Sequence, residues 1–247
     1  MVITIHWNLI IECPTARVKD DSAADLGRLG HIPYNEDTIV NVISDIYRIY
    51  LQLNYIFPTD VVWPSQEGHV INEALCEELH LDSAVISIMK RLPYFRASEL
   101  AADIPFTSLS RAFVYLEDDE IRDGRDPDRF QDEGLRLGFL LPQEIALDCS
   151  TNKGIYLILD TKENTIRVWD PNDRLAGDDE ENNYRNHPHH APTYLSSHLT
   201  RTKNMRALVD KPHYSDMYLR LKRLLQEQYG WPYDFQETEW KALSSLY

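Results

Sequence analysis

Three observations predict an α+β protein: helical apolar spacing through the first ~95 residues, β-branched and aromatic runs between positions 145 and 170, and one amphipathic stretch near the C-terminus. Helices come first, then strands, then a helix. That segregation argues for an N-terminal helical region packed on an antiparallel β-meander and closed by a C-terminal helix, and against a doubly wound sheet. Residues 1–247 read as one domain: a strand and irregular arm over 1–34, a helical part over 35–95, a mainly β part with an acidic loop over 96–175, and a loop and C-terminal helix over 176–247. No internal repeat is visible.

The N-terminal MVITIHWNLIIEC alternates Val2, Thr4, His6 and Asn8 against Ile3, Ile5, Trp7 and Leu9. It has no basic leading region or small-residue cleavage site, so it reads as a strand and not as a signal peptide. Residues 14–34 are polar and contain Gly27 and Gly30, consistent with an arm. A helix then places Ile39, Val42, Ile43, Ile46, Ile49, Tyr50 and Leu53 on one face, with Asn35 as N-cap and Glu36 and Asp37 in the first turn, where the helix dipole favours acids. Pro58 and Pro64 bracket an extended link. A short helix starts near Asn72 and runs through Leu75 and Leu79. Asp82 caps another, carrying Val85, Ile86, Met89 and Leu92 and stopping before Pro93. Ile145–Cys149, Gly154–Thr161 and Thr165–Asp170 predict at least three strands. Thr161–Asn164 makes a hairpin turn in which Asn164 tolerates a left-handed conformation. Residues 171–192 read as a polar loop. A helix over about 215–229 presents Met217, Leu221, Leu224 and Leu225, and Gly230 and Pro232 end it.

Forty acids against 25 bases give a net charge of −15, so tight non-specific binding to nucleic acid is disfavoured for the chain as a whole. Its longest apolar runs, Ala112–Leu116 and Ile155–Leu159, are far shorter than the ~20 residues of a membrane span. Three cysteines, Cys13, Cys76 and Cys149, form no even-numbered disulfide framework and point to a reducing, cytoplasmic setting. No dinucleotide fingerprint, phosphate-cradling loop, HExxH, GxSxG or CxxC occurs.

Four segments carry potential chemistry. After AFVYL, a strand would deliver Glu117, Asp118, Asp119 and Glu120 into a turn. Such a block can hold a divalent cation, grip the planar fork of a guanidinium, or stay solvated and pair with Arg122, Arg125 and Arg129. His187, His189, His190 and His198 follow the acidic run Asp178–Glu181. Zinc is one reading, but adjacent His189 and His190 do not easily face one ion, and incidental histidines are favoured. Cys149, with Ser150 and Thr151 after it, is a nucleophile if a base lies nearby and otherwise a buried inert thiol. Trp231 reads as an anchor for the chain after the last helix. Finally, residues 201–223 hold seven bases against two acids, a net +5 that leaves −20 for the rest. They form either an ordinary solvated helix face or a phosphate-contacting surface.

HIPY, KRLPYF, LEDDEIRDGRDP, LPQEIALDC with GIYLILDT, APTYL and QYGWP, in that order across residues 31–233, resemble fungal proteins of secondary-metabolite clusters that include the arginine-containing cyclodipeptide synthases. That family takes arginine and a second amino acid from aminoacyl-tRNAs and closes a diketopiperazine. The resemblance implies that Asp118 and Asp119, matching the pair of an Asp-Asp-x-x-Glu motif, hold the arginyl guanidinium or assist proton transfer, with Glu117 and Glu120 also gripping the guanidinium. Arg122 stands where that motif has Glu. Arg201, Lys203, Arg206, Lys211, Arg220 and Arg223 would contact arginyl-tRNA and the second aminoacyl-tRNA. No cofactor is implied, because the ester supplies the driving force and no ATP site is needed; no metal, membrane or DNA is expected either. A fainter likeness, in GIYLILDTKENTIRVWD, is to the glycine-led strand pair of the SUKH superfamily, whose members are non-catalytic α+β interaction modules; it implies a regulatory or partner-binding role.

Overall fold

A computed structural model describes residues 32–96, 106, 110–125, 140–150, 155–169, 188–204 and 215–244, with 149–150, 169 and 215–218 entering through their backbone alone. The strand expected at Val2–Leu9 and most of the arm lie outside the described residues.

Helix α1 (Glu36–Gln52) begins where expected: the Asn35 side chain accepts the Thr38 N–H at 3.0 Å, and Glu36 and Asp37 occupy the first turn. Ile39, Ile43, Ile46, Tyr47 and Tyr50 form its inward face, all buried. Each fully buried isoleucine contributes on the order of 2 kcal/mol. Asn72 caps α2 (Glu73–Glu78), accepting the Leu75 N–H at 3.1 Å. Asp82 precedes α3 (Ser83–Arg91), but its side chain makes no cap bond. Its backbone N–H instead donates to the Pro142 carbonyl at 2.9 Å, tying the helical part to the sheet. Arg91, in the last turn of α3, clamps Glu36 at 2.7 Å and Asp37, locking α3 to the start of α1.

The link between Pro58 and Pro64 is more structured than a bare extended segment. A 3-10 turn (Pro58–Asp60) leads into β1 (Val61–Val62), which pairs antiparallel with β2 (Tyr94–Phe95) in the register Val61↔Phe95 and Val62↔Tyr94. Two β-branched residues suffice because the chain leaving α3 at Pro93 returns beside them.

The meander has five antiparallel strands in sequential order: β3 (Ser110–Ala112), β4 (Glu144–Ser150), β5 (Tyr156–Asp160), β6 (Thr165–Trp169) and β7 (His189–His190). All five residues of β5 are buried, as a central apolar strand requires. A bulge falls between Ala146 and Asp148, where the Asp148 carboxylate accepts the Leu157 N–H at 2.7 Å. The β5–β6 turn puts Asn164 at φ +56°, the left-handed conformation expected of it.

The polar stretch after β6 holds an element the sequence did not predict, α5 (Ala191–Lys203), which packs on α1. Its buried positions are Ala191, Leu195, His198 and Thr202, a stripe too polar to register as apolar periodicity. Helix α6 (Ser215–Tyr229) stands as expected, and α7 (Glu237–Ser244) was not foreseen. A second apolar cluster, Ile49, Leu53, Leu225, Trp231 and Trp240, seats α6 and α7 on the end of α1. No helix among the described residues is long and apolar enough to cross a membrane.

Candidate functional site

The acidic block does not sit in a turn at a strand end. Phe113–Leu116 leave β3 and lead into a short helix, α4 (Asp118–Asp123), preceded by Glu117. Asp118, Asp119 and Glu120 fill its first turn, where the helix dipole stabilises carboxylates. Helical geometry then separates the four acids. Glu117, Asp118 and Asp119 are exposed, whereas Glu120 turns back and is buried.

Glu120 does grip a guanidinium, but the chain supplies it. Arg111 of β3 donates Nη1–H to Oε2 and Nη2–H to Oε1, both at 2.8 Å, and the Val114 N–H reaches Oε2 at 3.1 Å. Arg111 also lies 5.4 Å over the Phe113 ring. Glu120, expected to grip a substrate guanidinium, has both carboxylate oxygens bonded by Arg111. Asp118 accepts a hydrogen bond from Asn72 Nδ2 at 2.9 Å.

The arginines expected to neutralise the block go elsewhere. Arg122 approaches Glu78 at 3.8 Å. Arg125 is buried and donates to the carbonyls of Leu140, Leu141 and Glu144, so it organises the entry to β4. Arg129 lies outside the described residues.

Two cavities among the described residues are defined, and neither is lined by Glu117, Asp118 or Asp119. An open groove of about 490 Å³ runs along α5, lined by Pro192, Thr193, Ser196, Ser197 and Thr200. A closed space of about 10 Å³ lies in the aromatic core beside Tyr47, Tyr94 and Tyr115.

Of the basic residues, Arg201 and Lys203 are exposed in the last turn of α5, and Arg220 and Arg223 are exposed on α6. Arg206 and Lys211 lie outside the described residues. Leu225 is buried and Leu221 and Leu224 pack on the second cluster, so α6 turns its apolar face inward and its arginines outward, as its spacing predicted. Lys222 is half-buried.

The histidines take separate roles. His189 in β7 packs on Tyr194, with ring centroids 5.5 Å apart. His190 bonds Thr193 Oγ1 at 2.8 Å and lies 3.4 Å from Asn164 Nδ2. His198 is buried near Phe106. His187 lies outside the described residues, and no group of three His, Cys, Asp or Glu among the described residues is placed to hold a metal ion. Cys149 lies in β4 opposite Arg111, and Thr151 lies outside the described residues. Cys76 is buried, and that burial pushes its thiol pKa up. Trp231 is an anchor: it is buried, its indole N–H donates to the Lys203 carbonyl at 2.7 Å, and it meets Phe235 edge-on.

Sequence reading missed Arg111, which decides what Glu120 can bind. Nothing local flags it, since nine residues and a change from strand to helix separate the pair. It also missed the hydroxyl-lined face of α5, whose marks in the sequence are a proline at the helix start and Arg201 and Lys203 at its end. Compared with known proteins, the chain matches no family model, no curated protein and no solved structure.

Proposed function

We propose that the chain is a non-catalytic protein-interaction module of the SUKH-like kind, working in a reducing, cytoplasmic compartment. One observation carries the reading: the carboxylates that would do chemistry face water at the start of a short helix, and the acid turned inward is satisfied by Arg111. A site that grips arginine needs carboxylates converging in a partly desolvated pocket. Glu117, Asp118 and Asp119 instead form part of an outer surface, to which α2 adds the exposed Glu73, Glu77 and Glu78. The hairpin β5–β6 supports the same reading, because it spans the segment that carries the SUKH likeness.

The alternative is the aminoacyl-tRNA-dependent cyclodipeptide synthase. The exposed Arg220 and Arg223 favour it, since tRNA contact needs cations facing outward. Expression of soluble protein in a host lacking diketopiperazines, followed by mass analysis for cyclo-Arg-X, separates the two. The module reading expects no such product. A product that appears with wild type and vanishes with Asp118→Asn/Asp119→Asn overturns it.

A further inference from the structure

The side-chain amide of Asn164 faces more acceptors than it has hydrogens, while its own oxygen goes unused. Nδ2 lies 3.4 Å from the Ile32 carbonyl, 3.3 Å from the Pro33 carbonyl and 3.4 Å from Nε2 of His190. Two N–H groups serve these three acceptors. Oδ1 is buried and takes no hydrogen bond among the described residues, and neither does the buried hydroxyl of Thr165, the register partner of His190. A buried acceptor without a donor is costly, so this joint is satisfied on one side of the amide only.

His190 decides which side. Its Nδ1 is 2.8 Å from Thr193 Oγ1. With Nε2 accepting from Asn164, the neutral ring carries its proton on Nδ1 and donates it to Thr193. The imidazolium is a donor at both nitrogens, so its Nε2–H meets the Nδ2 donor of Asn164 head-on. A half-turn of the amide brings the idle Oδ1 to Nε2–H in a charge-assisted hydrogen bond. The same turn takes Nδ2 away from Ile32 and Pro33 and sets an oxygen against their carbonyls. One amide cannot satisfy both neighbours once the ring is charged.

We propose that Asn164 and His190 form a proton-operated switch: neutral His190 leaves Asn164 holding the chain ahead of α1, and protonated His190 draws the amide to itself and frees residues 32–34. This switch goes beyond the interaction-module reading and holds with or without it. Histidine changes charge between about pH 5 and 8, and the His190 ring is only half-buried, so protons reach it. The titratable groups on the surrounding elements are His189 of β7, Tyr194 of α5, Arg167 of β6, Lys162 and Glu163 of the β5–β6 turn, and Tyr34 ahead of α1. His189 stacks on Tyr194, and Arg167 is turned to Glu144 and Asp160. Among the described residues, no acid pairs with His190 to hold it in one charge state. The backbone side of the joint is indifferent to the proton. The Asn164 carbonyl accepts the Ala191 N–H at 3.0 Å in either state, so the β5–β6 turn and α5 stay together while the lead-in to α1 is released.

The test is an NMR titration of the full, isotope-labelled chain from pH 8 to pH 5. The His190 ring, the Asn164 side-chain amide, the Pro33 carbonyl carbon and the Tyr34 amide are expected to move with one midpoint. The Ala191 amide should stay protected throughout. His190→Gln should remove that midpoint from Asn164, Pro33 and Tyr34. Asn164→Gly should leave His190 titrating but make Pro33 and Tyr34 indifferent to pH. Asn164→Asp, which sets a carboxylate beside the ring, should raise the His190 midpoint by about one pH unit. Circular dichroism checks that each variant is folded. The switch is overturned if Asn164 and Tyr34 stay fixed while His190 titrates, if they respond in His190→Gln as in wild type, or if the His190 ring keeps one protonation state across the whole range.

Discussion

At the scale of single residues, neighbouring acids with the same chemistry have opposite consequences. Glu120 and Arg111 have side chains only 10 % and 14 % exposed and are joined by two hydrogen bonds. Removing one partner strands the other charge, so Arg111→Met or Glu120→Gln should cost about 3 kcal/mol. Asp119 is exposed, and Asp119→Asn should shift stability by less than about 0.5 kcal/mol. Urea melts of the variants check both, and equal effects at Asp119 and Glu120 would contradict the division drawn through the block. His69 gives a second residue-scale prediction. Its Nε2–H donates to the Leu92 carbonyl at 2.8 Å, and the ring lies against Tyr94 with centroids 5.2 Å apart. Desolvation holds its pKa below the ordinary 6.5, and the Leu92 carbonyl opposes that only in part. The unfolded chain therefore takes up the proton first, so this contribution to stability is fully present above pH 6.5 and is lost as pH falls from there through the folded-state pKa. Thermal melts of wild type and His69→Gln at pH 7.5 and 5.5 should show a smaller acid-induced drop in the variant; an equal drop would place the sensitivity elsewhere.

At the scale of elements, Asn164 joins three of them. Its left-handed backbone closes the β5–β6 turn, its carbonyl accepts the Ala191 N–H that starts α5 at 3.0 Å, and its Nδ2 lies 3.3 Å from the Pro33 carbonyl ahead of α1. Asn164→Gly keeps the conformation and loses the side-chain bonds, costing about 1 kcal/mol. Asn164→Ala also forces a left-handed alanine and should cost about 1 kcal/mol more. Equal losses in the two variants would mean that the backbone conformation contributes nothing. The turn was legible because Thr-Lys-Glu-Asn lies between two β-branched runs; what it holds together was not, because Pro33 and Ala191 are distant in the chain. The same divide runs through the rest of the molecule. Helices α1, α3 and α6 announce themselves by apolar spacing. Helix α5 hides because threonine and histidine fill half of its buried stripe, and β1 and β7 are too short to carry a pattern. In the candidate site, the run of four carboxylates was legible, but that Glu120 alone turns inward onto Arg111 was not, because the pair bridges a strand and a helix.

At the scale of the whole molecule, the main core and the C-terminal elements are joined through the end of α1. Trp240 of α7 is buried in the second cluster, its indole N–H donates to the Leu53 carbonyl at 2.9 Å, and it meets Tyr229 of α6 edge-on. The fully buried β5 belongs to the other cluster. Local opening follows the contacts that hold a unit down, so loss of Trp240 should release α6 and α7 before the sheet. Trp240→Ala is expected to cost about 3–4 kcal/mol, and Trp240→Phe, which keeps most of the ring packing and loses the indole donor, about 1 kcal/mol. Hydrogen exchange followed by mass spectrometry reads where the loss falls. Amides of α6, α7 and the last turn of α1 should lose protection in Trp240→Ala while those of β5 keep theirs; a parallel loss in β5 would show one cooperative unit instead.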